Sequence, residues 1–153
     1  MKEKYYITAS VKREPTKQEK VEIGITGASV FSGRIKAVIE AETWQAAMEL
    51  GKECINGCLK SGHTAFNFGW MPVSSAEKIG DEGIYEKYNT ATWLCYYRGR
   101  KGLTQKALAE QSGVNIRQIQ KIEAGEIVAG NVSARNILAL ADALEVDPHD
   151  LIR

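Results

Sequence analysis

The chain has 153 residues, 44% of them hydrophobic and 25% charged, with a formal net charge of +1. That composition suits one globular domain of ordinary size or two small ones, and it excludes disordered and fibrous classes. No apolar run approaches the ~20 residues of a membrane span, and the start, Met1-Lys2-Glu3-Lys4, is charged and runs into strand-like sequence, unlike a signal peptide.

Tyr5, Ile7, Ala9 and Val11 alternate, which predicts a first strand, and Glu14-Pro15-Thr16-Lys17 supplies a turn. Val21, Ile23 and Ile25 alternate again and predict a second strand; Ile35, Ala37, Ile39 and Ala41 predict a third. Thr43 suits the N-cap of a helix that begins at Trp44. Along it Trp44, Ala47, Met48, Gly51, Cys54, Ile55, Cys58 and Leu59 form one apolar stripe, and Gly62 ends it. Phe66, Phe68 and Trp70 alternate as a fourth strand. These elements predict an α+β domain over residues 1–70, an antiparallel sheet with one helix across it, suited to dimerisation, ligand binding or partner binding. Residues 71–83 combine Pro, Ser, Gly and charge with little periodicity and read as a linker. From Ile84 onward the sequence reads as helical, with no strand, which makes 84–153 a second domain.

Punctuation divides that second domain into short helices. One carries Trp93, Leu94 and Tyr97 on a face and stops around Gly99 to Gly102. Thr104 caps the next, Gln105 to Ser112, and Gly113 follows where a left-handed turn needs no Cβ. Asn115 caps a third, with Gln118 three positions later as in a capping box; Ile119 and Ile122 face inward, and Gly125 closes it. Two short helices joined by a Gly-containing turn make a helix-turn-helix. Charge is distributed unevenly around it. Residues 98–121 hold six basic side chains against one acid, and 122–153 hold two against six acids. A basic surface next to an acidic one points to an anionic partner.

The run Leu103-Thr104-Gln105-Lys106-Ala107-Leu108-Ala109-Glu110-Gln111-Ser112-Gly113-Val114-Asn115, followed by Ile119 and Ile122-Glu123-Ala124-Gly125, resembles the Cro/C1-type (XRE) helix-turn-helix family. Ile137 to Pro148 resembles that family's fourth helix and the turn into its fifth. The resemblance runs from about Trp93 to Leu151, and the connection Glu126 to Val132 is longer than usual. It implies an all-α, five-helix, lambda-repressor-like domain that binds double-stranded DNA as a homodimer. The third helix would then enter the major groove, with Ile116, Arg117, Gln118, Gln120 and Lys121 facing the bases. Thr104, Gln105 and Lys106 would meet phosphate. Arg98 and Glu123 occupy positions where the family often carries a structural salt bridge.

Other signals are weaker than they look. Cys54, Cys58 and Cys95 are an odd number without metal-ligand spacing, so they read as reduced, mostly buried thiols of a cytoplasmic protein. His63 follows a turn and His149 opens the last helix; neither has a nucleophile beside it in sequence. The aromatics Trp44, Phe66, Phe68 and Trp70 have the spacing of core residues rather than of a ligand pocket. No catalytic set, phosphate loop, metal site or cofactor is expected, and no enzyme activity. The expected function is sequence-specific transcriptional regulation. The alternative is an antitoxin that blocks a toxin through its N-terminal domain and represses its own operon, since the element order is similar to that of HicB-type antitoxins. A ligand-responsive repressor is a third reading.

Overall fold

The computed structural model describes residues 1–23, 29–75 and 88–153. Strand β1 (Glu3–Arg13) pairs antiparallel with β2 (Val30–Ala41) on one side and with β3 (His63–Pro72) on the other. A two-residue strand β4 (Asn89–Thr90) runs parallel to β2, which gives the order β3-β1-β2-β4. Tyr5, Ile7, Ala9 and Val11 are buried, as are Ile35, Ala37, Ile39 and Ala41 opposite them. Helix α2 (Trp44–Cys58) covers that face with Ala47, Gly51, Cys54 and Ile55. Thr43 caps it, its Oγ1 accepting from the Ala46 N–H at 3.1 Å.

Three expectations are corrected. The strand expected at Val21 to Ile25 is instead a helix, α1 (Lys17–Ile23), and residues 24–28 lie outside the described residues. A capping box outweighs the short alternation. Thr16 Oγ1 accepts from the Glu19 N–H, and the Glu19 carboxylate accepts from the Thr16 N–H, both at 3.2 Å. Arg13 grips the same carboxylate at 2.7 and 3.2 Å.

That grip sets a pH dependence. The Arg13 guanidinium, helped by the Thr16 N–H, holds the Glu19 carboxyl down to about 2 from an ordinary 4.5. The carboxylate's contribution to α1 is therefore fully present above 4.5 and is lost as pH falls through about 2. A carbon-13 titration of the Glu19 carboxyl should show its midpoint near 2; a midpoint near 4.5 would mean that the grip does not persist in solution.

The fourth expected strand forms as β3, and the second correction concerns which face its aromatics take. Asn67 has a φ of 53°, and the β1–β3 register shifts between Thr8 and Ser10. This bulge breaks the alternation of Phe66, Phe68 and Trp70. Phe66 pairs with Ser10 on the face away from α2, whereas Phe68 packs on the core and Trp70 pairs with Ile7. Trp70 also stacks on Trp44 at 5.1 Å between centroids, and both rings are about 40% exposed. The third correction is β4 itself, a strand within the stretch expected to be wholly helical. The Ala91 N–H continues its pairing by donating to the Lys36 carbonyl at 2.7 Å. The linker expected at 71–83 overlaps β3 at Met71 and Pro72, and residues 76–87, including the expected helical start at Ile84, lie outside the described residues.

Five α-helices follow: α3 (Trp93–Arg100), α4 (Gln105–Ser112), α5 (Ile116–Glu123), α6 (Ala134–Leu144) and α7 (Pro148–Ile152). Their core contains Leu94, Leu108, Ile119, Ile122, Leu140, Ala141 and Leu144. Helix α3 serves both cores. Trp93 and Tyr96 join the sheet's core, while Leu94 points into the helical one. No helix among the described residues is long and apolar enough to cross a membrane.

Candidate DNA-binding interface

Helices α4 and α5 are short, and their caps set where each begins. Thr104 Oγ1 accepts from the Ala107 N–H at 3.0 Å, and Asn115 Oδ1 accepts from the Arg117 N–H at 2.8 Å. Between them Gly113, at φ 75°, takes the left-handed conformation that ends α4. Helix α5 buries Ile119, Ile122 and Glu123, and this turns Arg117, Gln120 and Lys121 outward, where they are exposed. Ile116 and Gln118 are half-buried at the border. The capping box expected between Asn115 and Gln118 does not form. The Gln118 Oε1 instead accepts from Asn136 Nδ2 of α6 at 2.6 Å, which ties the start of α5 to that helix. Asn136 had no distinguishing signal in the sequence beyond its place three residues after Ser133, which caps α6.

Behind this face lies a partly buried ion pair. Arg98 Nε donates to Glu123 Oε2 at 2.8 Å and its Nη2 to Oε1 at 2.7 Å, a bidentate grip from α3 to the end of α5. Arg98 Nη1 also donates to the Leu103 carbonyl at 2.9 Å, and Gln105 Nε2 donates to Glu123 Oε1 at 3.3 Å. The Glu123 carboxylate beside it raises the Arg98 pKa above its ordinary value, so the arginine stays charged. One cluster therefore fixes the last turn of α3, the loop to α4, the first residue of α4 and the last residue of α5. The Gln105 amide is turned inward to this cluster, while Thr104 and Lys106 beside it are exposed.

The basic segment thus divides into two sets. Arg98 is paired with Glu123, Arg100 donates to the Tyr96 hydroxyl at 3.0 Å, and Lys101 meets Glu145 at 2.7 Å. Lys106, Arg117 and Lys121 are exposed, and their side chains make no hydrogen bond or ion pair with the described residues. These three cations, on α4 and α5, remain available to an anion. The long connection after α5 contains a 3-10 turn, Ala129–Asn131.

The cysteines meet between α2 and α3. Hydrogen bonding with Cys54 pushes the Cys58 thiol up to about 12, and hydrogen bonding with Cys58 raises Cys95 as well. Thiols held protonated in this way are poor nucleophiles and poor metal ligands at neutral pH. Among the described residues no group of His, Cys, Asp and Glu is arranged to hold a metal ion.

A family model described as "Helix-turn-helix" matches residues 96–151. The chain is also similar to the crystal structure of the restriction-modification controller protein C.AhdI from Aeromonas hydrophila. Identity is 41% over 39% of this chain and 85% of that one, with a TM-score of 0.35. No curated protein matches the chain. The chain belongs, through its C-terminal half, to the Cro/C1-type helix-turn-helix family. In this helix-turn-helix α4 and α5 are the paired helices, and α3, α6 and α7 complete the five-helix domain. The family assigns the protein to DNA-binding regulators of transcription.

Proposed function

We propose that the protein is a sequence-specific transcriptional regulator that reads double-stranded DNA with α5. The observation that carries this reading is the division of the basic segment, which leaves Lys106, Arg117 and Lys121 unpaired with the described residues and exposed on the two helices of the motif. Arg117 then meets guanine in the major groove, Gln120 and Lys121 face neighbouring bases, and Ile116 touches a thymine methyl. Gln118 reaches adenine only by exchanging its bond from Asn136. Thr104 and Lys106 meet phosphate, while Gln105 contributes through the backbone at the start of α4 and through Glu123.

Arg117→Ala is expected to cost roughly 1–3 kcal/mol on the specific site and to relax preference at one base pair. Lys106→Ala should weaken specific and random DNA alike and reduce the salt slope by about 0.9. Fluorescence anisotropy against selected and random duplexes separates the two roles. Equal losses for Arg117→Ala on both would refute base reading.

A single reading helix covers few base pairs, so the regulator acts as a two-fold dimer on half-sites about 34 Å apart. Leu138 on α6 and Ile152 on α7 are about half exposed and supply apolar surface for that pairing. The sheet and α2 make up the small α+β domain, expected over residues 1–70, which in this reading serves dimerisation or binds a ligand or partner. A half-open groove bordered by Lys36 and Val38 of β2, Thr90, Trp93, Ile122 and Gly125 is where a bound ligand or partner would reach the end of α5. No comparable observation favours the antitoxin alternative.

A further inference from the structure

The groove where the sheet meets the end of α5 has walls from both halves of the chain. Lys36, Val38 and Glu40 of β2 border it, as do Val128 from the connection after α5 and Ile152 and Arg153 at the end of α7. Three of these side chains are large, apolar and open to water. Val38, Val128 and Ile152 are 45%, 62% and 46% exposed, and they come from three separate stretches of chain. Apolar side chains scattered singly over a surface need no explanation, but several that converge on one concavity mark a binding site. The groove encloses about 500 Å³ and is open to solvent along one side, which admits a molecule of metabolite size.

Its charge is one-sided. Lys4, Lys36 and Arg153 border it against a single carboxylate, Glu40, which stands opposite Lys4 in the β1–β2 register. The Lys4, Lys36 and Glu40 side chains make no ion pair with the described residues. The Arg153 guanidinium lies 4.3 Å from the centroid of the Trp93 ring, and its Nη2 donates to the Tyr97 hydroxyl at 2.7 Å. That fixes the cation at the wall, and its remaining donors make no hydrogen bond with the described residues. A cationic ligand would meet the excess of like charge, and a neutral apolar one would leave it unanswered. Tyr6 and Tyr88 also border the groove, each with partners of its own, and neither is needed to hold a ligand.

We propose that this groove binds a small organic anion, its acid group met by Lys36 and Arg153 and its apolar body by Val38, Val128 and Ile152. This rests on a ligand role for the sheet domain, gives that ligand a chemical class, and is independent of base reading by α5. Such a molecule also bears on α5. Lys36 is the β2 partner of Thr90, and Thr90 packs against the backbone that closes α5, since a Cβ on Gly125 would lie 3.0 Å from Thr90 Cγ2. A ligand held by Lys36 therefore sits beside the contact that seats the reading helix on the sheet.

The test uses the full chain and two fluorescent probes with the same apolar body, anilinonaphthalene sulfonate and phenylnaphthylamine, which lacks the acid group. The sulfonate should bind the parent about tenfold more tightly than the amine. Lys36→Gln and Arg153→Gln should each remove most of that preference and leave the amine unchanged. Val128→Ser should weaken both probes, and the exposure of Val128 keeps this change from disturbing the fold. In nitrogen-15 spectra the sulfonate should move the backbone amides of Thr90 and Gly125 and leave those of Lys106 and Gly113 in place. The proposal is overturned if the sulfonate does not bind, if it binds no better than the amine, or if all three variants bind both probes as the parent does. Movement of the Trp44 and Trp70 indole signals in place of the Thr90 and Gly125 amides would also overturn it, because the probe would then sit on that exposed aromatic pair. None of these measurements contains DNA, so failure here is distinct from failure of Arg117→Ala to discriminate duplexes.

Discussion

Arg98→Met is expected to lower the free energy of unfolding by about 3 kcal/mol, and Glu123→Leu by a similar amount. Each single change strands the other charge in a site where the Arg98 and Glu123 side chains are only 19% and 7% exposed. The Met variant also removes a donor from the Leu103 carbonyl, and the Leu variant removes the acceptor of Gln105. The double variant should recover most of the loss, because an apolar pair of similar volume avoids the desolvation cost of both ions. Urea unfolding of the four proteins measures this as a double-mutant cycle. Additive losses would mean that the two side chains do not interact in solution, and Arg98 would then be available to phosphate.

The second large effect is expected at Gly57, where α2 crosses α3. A Cβ at this position would overlap the Tyr96 ring, and a Cβ on Gly99 of α3 would lie 3.3 Å from the Gly57 carbonyl oxygen. Tyr96 has little room to yield. It is buried, its hydroxyl donates to Glu53 at 2.6 Å, and Arg100 donates to the same hydroxyl at 3.0 Å. Gly57→Ala gains at most about 1 kcal/mol of helix propensity. Overpacking the crossing should cost about 2–3 kcal/mol, so the net change is destabilising. A lower thermal midpoint, together with a shifted near-ultraviolet signal from Trp93 and Tyr96, is the expected result. An unchanged midpoint would mean that α3 can slide away from α2 without loss.

The sequence was most legible where pattern and punctuation agreed. Thr43, Thr104 and Asn115 announce helix starts that the structure shows at the adjacent residue. Gly113 marks a turn for which its φ of 75° gives the reason. It was least legible where one local contact overrules an alternation. Val21 and Ile23 look like a strand until Thr16 and Glu19 are read as a capping box, a signal present in the sequence beneath the alternation of three apolar residues. The bulge at Asn67 had no comparable marker, and a one-residue shift there reassigns Phe66 to the opposite face. Strand β4 is two residues long and exists only because β2 is beside it, so no periodicity could have shown it. At the interface, exposure of Arg117, Gln120 and Lys121 follows from the helical period once Ile119 and Ile122 are placed inside. The inward turn of Gln105 and the tie from Asn136 to Gln118 depend on tertiary neighbours, and local sequence carries no trace of them.

Helix α3 has eight residues and belongs to two hydrophobic cores at once. A piece of chain beginning at Thr104 would retain α4 and α5 but lose both Leu94 from its interior and the arginine that anchors Glu123. A piece ending before Trp93 would leave the sheet without two of its aromatic fillers. Neither half closes without this rod, so melting should pass through both together as one cooperative event. For the same reason a load on the sheet would reach the helix-turn-helix through a shared rigid element rather than along a tether.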